Sequence, residues 1–149
     1  MRSKDAIVRV GMDTLTQRLF SDMFLRGSDA ELRERLVARA QGVDAKSREA
    51  LFLDLIRWDL TKARDALRQI TVPTLLLQST YINSEFKRMP MRSGMTTPWM
   101  EAVASSVPAC EAKIIPGAGH FAMIEAAQAV NDAIEEFAAR LIAIRQPIR

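Results

Sequence analysis

The sequence predicts an α/β protein in which a helical stretch over residues 1–70 precedes a strand–helix–strand–helix layer over residues 71–149. Three observations lead there. In the first 70 positions apolar residues recur at helical spacing, with capping residues at the ends of the runs. Two short apolar runs, TLLLQST after Val72-Pro73 and CEAKIIPG after Pro108, are too short for helices and read as buried parallel strands. Each run leads into a segment with helix signals, which is the βαβα order of a parallel layer.

Taken in order, a helix is expected around Thr14 to Phe24. Ser28 and Glu31 fit a capping box for a second helix over 28–41, Gly42 fits its terminating position, and Leu32, Leu36 and Ala40 make its buried stripe. A third begins after Asp44 and reaches about Trp58, with Leu51, Leu55 and Trp58 at helical spacing, and a short fourth covers about Leu60 to Leu67. Nothing before residue 70 reads as a strand. After the first strand, residues 81–97 read as a polar, Met-rich loop. Thr97-Pro98 then supplies an N-cap followed by proline at the first helical position, opening a helix through about Ser106. Pro116-Gly117 stops the second strand, and Val130, Ile134, Phe137, Leu141 and Ile144 form one apolar stripe on the closing helix.

Two parallel strands are too few for a stable sheet, and each would leave an edge unpaired. The sheet is therefore expected to continue outside these residues, or the chain to associate with a partner or with itself through the open edge. No internal repeat or low-complexity linker offers another solution.

Composition narrows the function classes. With 48% apolar and 26% charged residues the chain has the make-up of a folded protein. One cysteine, Cys110, and one histidine, His120, exclude an internal disulfide and a four-ligand structural zinc site, so no metal is expected. No apolar stretch approaches the roughly 20 residues that span a bilayer, and the N-terminus lacks a sustained apolar run with a cleavage-like site. A cytoplasmic location is the resulting expectation, with no membrane partner. The net charge of +3 comes from residues 1–70, which carry 14 basic and 11 acidic side chains. There the signs interleave, as in DAELRERLVAR, whereas a phosphate-binding face needs a clustered basic footprint. A solvated helix surface is the reading, and nucleic acid is not an expected partner.

The segment that carries chemistry is IIPGAGHFAMIE. His120 follows a strand and precedes a helix, in a turn held by glycines that permit positive φ, at the sheet edge where open α/β sheets place ligands. By position alone a lone loop histidine also reads as a surface or hydrogen-bonding residue. Residues 69–142, however, resemble the end of the α/β-hydrolase superfamily: the strand-opening IxVPTLLL, the Gly-His–aromatic–Glu loop PGAGHFAMIE, and an amphipathic closing helix. The preceding helices resemble that family's cap. The resemblance implies a C-terminal portion of an α/β-hydrolase fold in which His120 is the general base, with Phe121 and Glu125 structural.

Two departures accompany it. The family order is nucleophile, acid, histidine, and neither a G-x-S-x-G elbow nor an HGGG-type oxyanion loop occurs here. The acid, commonly an aspartate in a turn after the strand equivalent to TLLLQ, is also missing, since this chain reads QSTYINSEFKR. Glu85 is the carboxylate in reach, with a solvated pairing to Lys87 or Arg88 as its alternative, and Asn83 could orient an imidazole without stabilising its cation. GAGHFA formally matches G-x-G-x-x-A, but a dinucleotide site would need a second strand ending in an acidic residue, where this sequence is continuous helix. No cofactor is expected. Trp58, Trp99 and Met95 are candidates to line an apolar substrate pocket, with core filler as the alternative for each. The expected function is hydrolysis of a small apolar ester with the nucleophile outside this chain; the alternative is a non-catalytic, truncated family member serving as a binding or regulatory module or an inactive remnant.

Overall fold

The computed structural model describes residues 10–25, 28–85 and 87–145. The chain is mixed α/β and divides into two compact units, Met1–Gln69 and Ile70–Arg149.

The first unit is helical: α1 Met12–Asp22, α2 Ala30–Gln41, α3 Ala45–Thr61 and α4 Ala63–Arg68. Two carboxylates start the longer helices, Asp29 accepting from Leu32 N–H and Asp44 from Ser47 N–H. The cap of α2 is thus Asp29 rather than the expected Ser28, and it needs no return bond from Glu31. Gly42 ends α2 with φ −66°, a right-handed conformation, so the terminating glycine is not used for left-handed backbone. Arg48 ties α3 to α1 by donating to Thr16 Oγ1 at 2.8 Å and pairing with Asp13. Leu32, Leu36 and Ala40 are only half-buried. Leu51, Leu55 and Trp58 form an exposed face of α3, at 68%, 58% and 48% exposure. The reason is that α3 is apolar on more than one side, and its inner side carries Arg48, Phe52 and Ile56, all half-buried.

The second unit is built on β1 Thr74–Gln78 and β4 Cys110–Ile114, paired in parallel with Thr74 opposite Cys110 and Gln78 opposite Ile114. Between them lie β2 Thr80–Ile82, β3 Arg88–Pro90 and α5 Pro98–Ser106; after β4 come the single turn α6 Ala122–Glu125 and the long α7 Ala127–Arg145. The stretch read as a polar loop thus contains a two-stranded antiparallel hairpin, β2 to β3. Thr80, Tyr81 and Ile82 favour extended backbone. Asn83 closes the turn: its N–H donates to Lys87 O, and its side-chain oxygen accepts from the N–H groups of Glu85 and Lys87.

The core of this unit is Ile115, Ala118, Ala122, Val130 and Ala133, with Leu77 packed against it. The buried side of α7 therefore runs through Val130 and Ala133, and Ile134, expected in the stripe, is 49% exposed. Small Ala133 lets the helix approach the strands closely. Phe137 and Leu141 are half-buried, and the side chain of Ile144 lies outside the described residues.

Among the described residues the parallel sheet has two strands. Thr74 N–H donates to Ala109 O, and Gln78 O accepts from Ile115 N–H, so Thr74, Leu76 and Gln78 turn their backbone groups to β4. By alternation Leu75 and Leu77 direct theirs to the opposite edge, where no strand lies among the described residues. All five residues of β1 are half-buried, none fully.

This architecture can be tested at a helix cap and at the open edge. Thr97 caps α5, its hydroxyl accepting from Met100 N–H at 3.1 Å and reaching Gln78 Oε1 at 3.3 Å; Thr97→Ala should destabilise the unit by about 1–2 kcal/mol in urea unfolding, and Thr97→Ser by much less. At the edge, fully burying one leucine is worth roughly 1.5–3 kcal/mol against a typical domain margin of about 5–15 kcal/mol, and Leu75, Leu76 and Leu77 all lack part of that cover. The purified chain should self-associate in size-exclusion chromatography with light scattering, or melt broadly by near-UV CD. A monomer with a sharp transition would show that two strands and these helices suffice.

Candidate functional site at the His120 loop

The loop between β4 and α6 is fixed at four points. Ile115 N–H donates to Gln78 O at 2.9 Å, which holds the exit of β4 against the end of β1. Gly117 takes φ +70°, a conformation that glycine adopts without strain, and its N–H reaches Met91 O at 3.4 Å. Gly119, one residue before the histidine, is gripped on both sides of its backbone: Ser79 Oγ donates to its carbonyl at 2.6 Å, and its N–H donates to Glu125 Oε2 at 2.7 Å. Ser79 is buried, and its own carbonyl accepts from Met91 N–H at 2.7 Å, so the end of β1, the hairpin and the loop share one hydrogen-bond network. Met91, Ile115 and Ala118 beneath it are almost fully buried.

His120 itself stands exposed at the top of this platform. Phe121 meets its ring edge-on, with centroids 5.4 Å apart and an interplanar angle of 73°. Arg88, on β3, places NH1 3.5 Å from His120 Nδ1 and donates from the same nitrogen to Thr80 Oγ1 at 3.0 Å. Desolvation of the part of the ring that faces the loop, and then the Arg88 cation, lower the imidazole pKa from its ordinary value of 6.5 and so disfavour a second ring proton. Among the described residues no carboxylate hydrogen-bonds to it.

The other residues singled out in the sequence lie as follows. Glu85 is in the hairpin turn with its carboxylate 2.8 Å from Lys87 Nζ, both side chains well exposed, and is not brought to His120. The side-chain oxygen of Asn83 is used by the turn. Glu125 serves the loop structurally through Gly119. Met95 is half-buried, and its sulfur accepts from Arg92 N–H at 3.1 Å; Trp99, in the first turn of α5, is 45% exposed. Trp58 belongs to the helical unit, on the exposed face with Leu51 and Leu55. In that unit an open groove of about 370 Å³ between α1 and α2 is lined by both polar and apolar side chains, among them Gln17, Arg33, Glu34 and Val37.

Ser79 is a site residue that the sequence did not bring forward, and Arg88 entered there only as a solvated partner for Glu85. A polar residue directly after the Leu-Leu-Leu-Gln run was a signal for Ser79, because strand ends carry the groups that hold adjacent loops. Arg88 gave no such signal: it sits in a stretch of mixed charge, 32 positions from the histidine it faces.

No protein-family model, curated protein or solved structure matches the chain. Among the described residues no helix is long and apolar enough to cross a membrane, and no three His, Cys, Asp or Glu side chains are grouped to hold a metal ion.

The network predicts that Ser79→Ala, which removes one buried bond to Gly119, costs about 1–2 kcal/mol of stability and raises amide exchange at residues 117–121 more than in α7. Equal exchange increases throughout the unit would instead show that Ser79 supports the fold as a whole.

Proposed function

We propose that residues 70–149 form the C-terminal part of an α/β-type hydrolase of small apolar esters, in which His120 acts on a nucleophile contributed from outside these 149 residues. The observation that carries this reading is the presentation of His120. It stands at the C-terminal end of two parallel strands, on a loop whose backbone is gripped on both sides of Gly119, and its pKa is lowered, which favours the neutral ring. A general base needs that combination, because its ring must be neutral near pH 7 and held within hydrogen-bond reach of the proton it accepts. Ser79, the hydroxyl closest to the loop in the chain's hydrogen-bond network, does not supply the nucleophile: it is buried and its proton is committed to Gly119 O.

A second reading, a non-catalytic family member that binds or regulates, is favoured by one specific observation. The charged group beside His120 is the cation Arg88, where a catalytic imidazolium would need a carboxylate.

One comparison of activities separates the two. The chain alone should hydrolyse p-nitrophenyl acetate no faster than its His120→Ala variant. Combined with the polypeptide encoded upstream of Met1 in the same frame, provided that it carries a G-x-S-x-G elbow, it should gain turnover that His120→Ala lowers by at least about a thousandfold. Turnover by the chain alone that depends on His120 would overturn the assignment of an external nucleophile, and an assembled protein indifferent to His120→Ala would favour the non-catalytic reading.

A further inference from the structure

The contact between Arg88 and His120 fixes more than a charge. A guanidinium has N–H donors and no acceptor and stays protonated, so its 3.5 Å approach to Nδ1 is a hydrogen bond only if Nδ1 carries a lone pair. The remaining proton of a neutral ring is then on Nε2. That arrangement is the reverse of a base held by an acid, in which Nδ1–H donates to a carboxylate and Nε2 is bare.

We propose that Arg88 is a positioning residue that locks His120 as the Nε2–H tautomer, so that the ring offers a donor instead of a base until a carboxylate displaces the guanidinium from Nδ1. The geometry for such an exchange is present. Arg88 is anchored independently, through NH1 to Thr80 Oγ1 across the hairpin, where Arg88 stands opposite Ile82 in the β2–β3 register. A carboxylate entering between Arg88 and Nδ1 would accept from both, pairing with the guanidinium while drawing the ring proton to Nδ1 and baring Nε2. The other charged groups near the loop are otherwise engaged: Glu125 on α6 holds Gly119 N–H, and Glu85 and Lys87 pair with each other in the hairpin turn. Among the described residues no further carboxylate is placed at Nδ1, and the exchange is open to a carboxylate brought by a ligand or by another polypeptide.

This deepens the hydrolase reading and rests on it for its catalytic meaning, but the tautomer is a property of this chain and is read without any activity. Because His120 is the sole histidine, ¹⁵N-histidine labelling reports one ring. In the wild-type chain the ¹⁵N shifts, in solution or in the solid state, should show Nε2–H with a titration midpoint below 6.5. Arg88→Met should raise the midpoint by removing the cation, and Arg88→Lys should keep it low by supplying another cationic donor. Arg88→Glu, which installs a carboxylate at this position, should move the proton to Nδ1 and bring the midpoint above that of Arg88→Met. An Nδ1–H ring in the wild type, or one midpoint shared by the wild type, Arg88→Met and Arg88→Glu, would overturn the proposal. Should the Met and Glu variants lose their fold, the wild-type tautomer decides the matter alone. Whether an assembled protein hydrolyses esters does not depend on the tautomer found in this chain, so the two readings fail separately.

Discussion

The parallel pairing of β1 with β4 is the interaction on which the rest of the second unit depends. It fixes the Gln78 carbonyl where Ile115 N–H can meet it, and so sets where β4 ends and the histidine loop begins. From that point Ser79, the next residue of the chain, reaches Gly119 four residues beyond Ile115. A slip of one residue would turn Leu75 and Leu77 to the opposite face and take Leu77 away from the Ile115, Ala118 and Val130 cluster. The loop is thus positioned by strand register, with the glycine turn acting only after the register is set.

The same pairing leaves one edge of β1 without a strand among the described residues. Three consecutive leucines are suited to a strand covered on both faces and flanked on both edges, yet among the described residues β1 has one neighbour, and none of its own residues is fully buried. In the helical unit, Leu51, Leu55, Trp58 and Leu60 face outward. Each unit thus leaves apolar side chains uncovered among its described residues.

Arg88 changes the chemistry of the loop without altering its shape. The backbone latches hold the loop through Ser79 and Glu125, whereas the cation 3.5 Å from Nδ1 disfavours the second ring proton and, on the proposal above, sets the place of the first. A motif such as Gly-His–aromatic–Glu concerns the presentation of a histidine, whereas the charge set beside its ring comes here from the β2–β3 hairpin.

Several features were legible in the sequence because they depend on neighbours along the chain. Asp44 and Thr97 cap helices, Pro98 opens one, TLLLQ and CEAKI are strands, and Gly117 takes the positive φ that a turn before the histidine requires. The βαβα order follows from these local signals. What only the tertiary structure decided depends on residues far apart in sequence. These features are the outward face of α3, the inward turn of Ala133 in place of Ile134, and the Arg88–His120 contact across 32 positions. A periodic pattern states that a helix has an apolar side but not which of two such sides finds a partner. A charged residue in a mixed-sign stretch carries no mark of the ring that packing brings beside it.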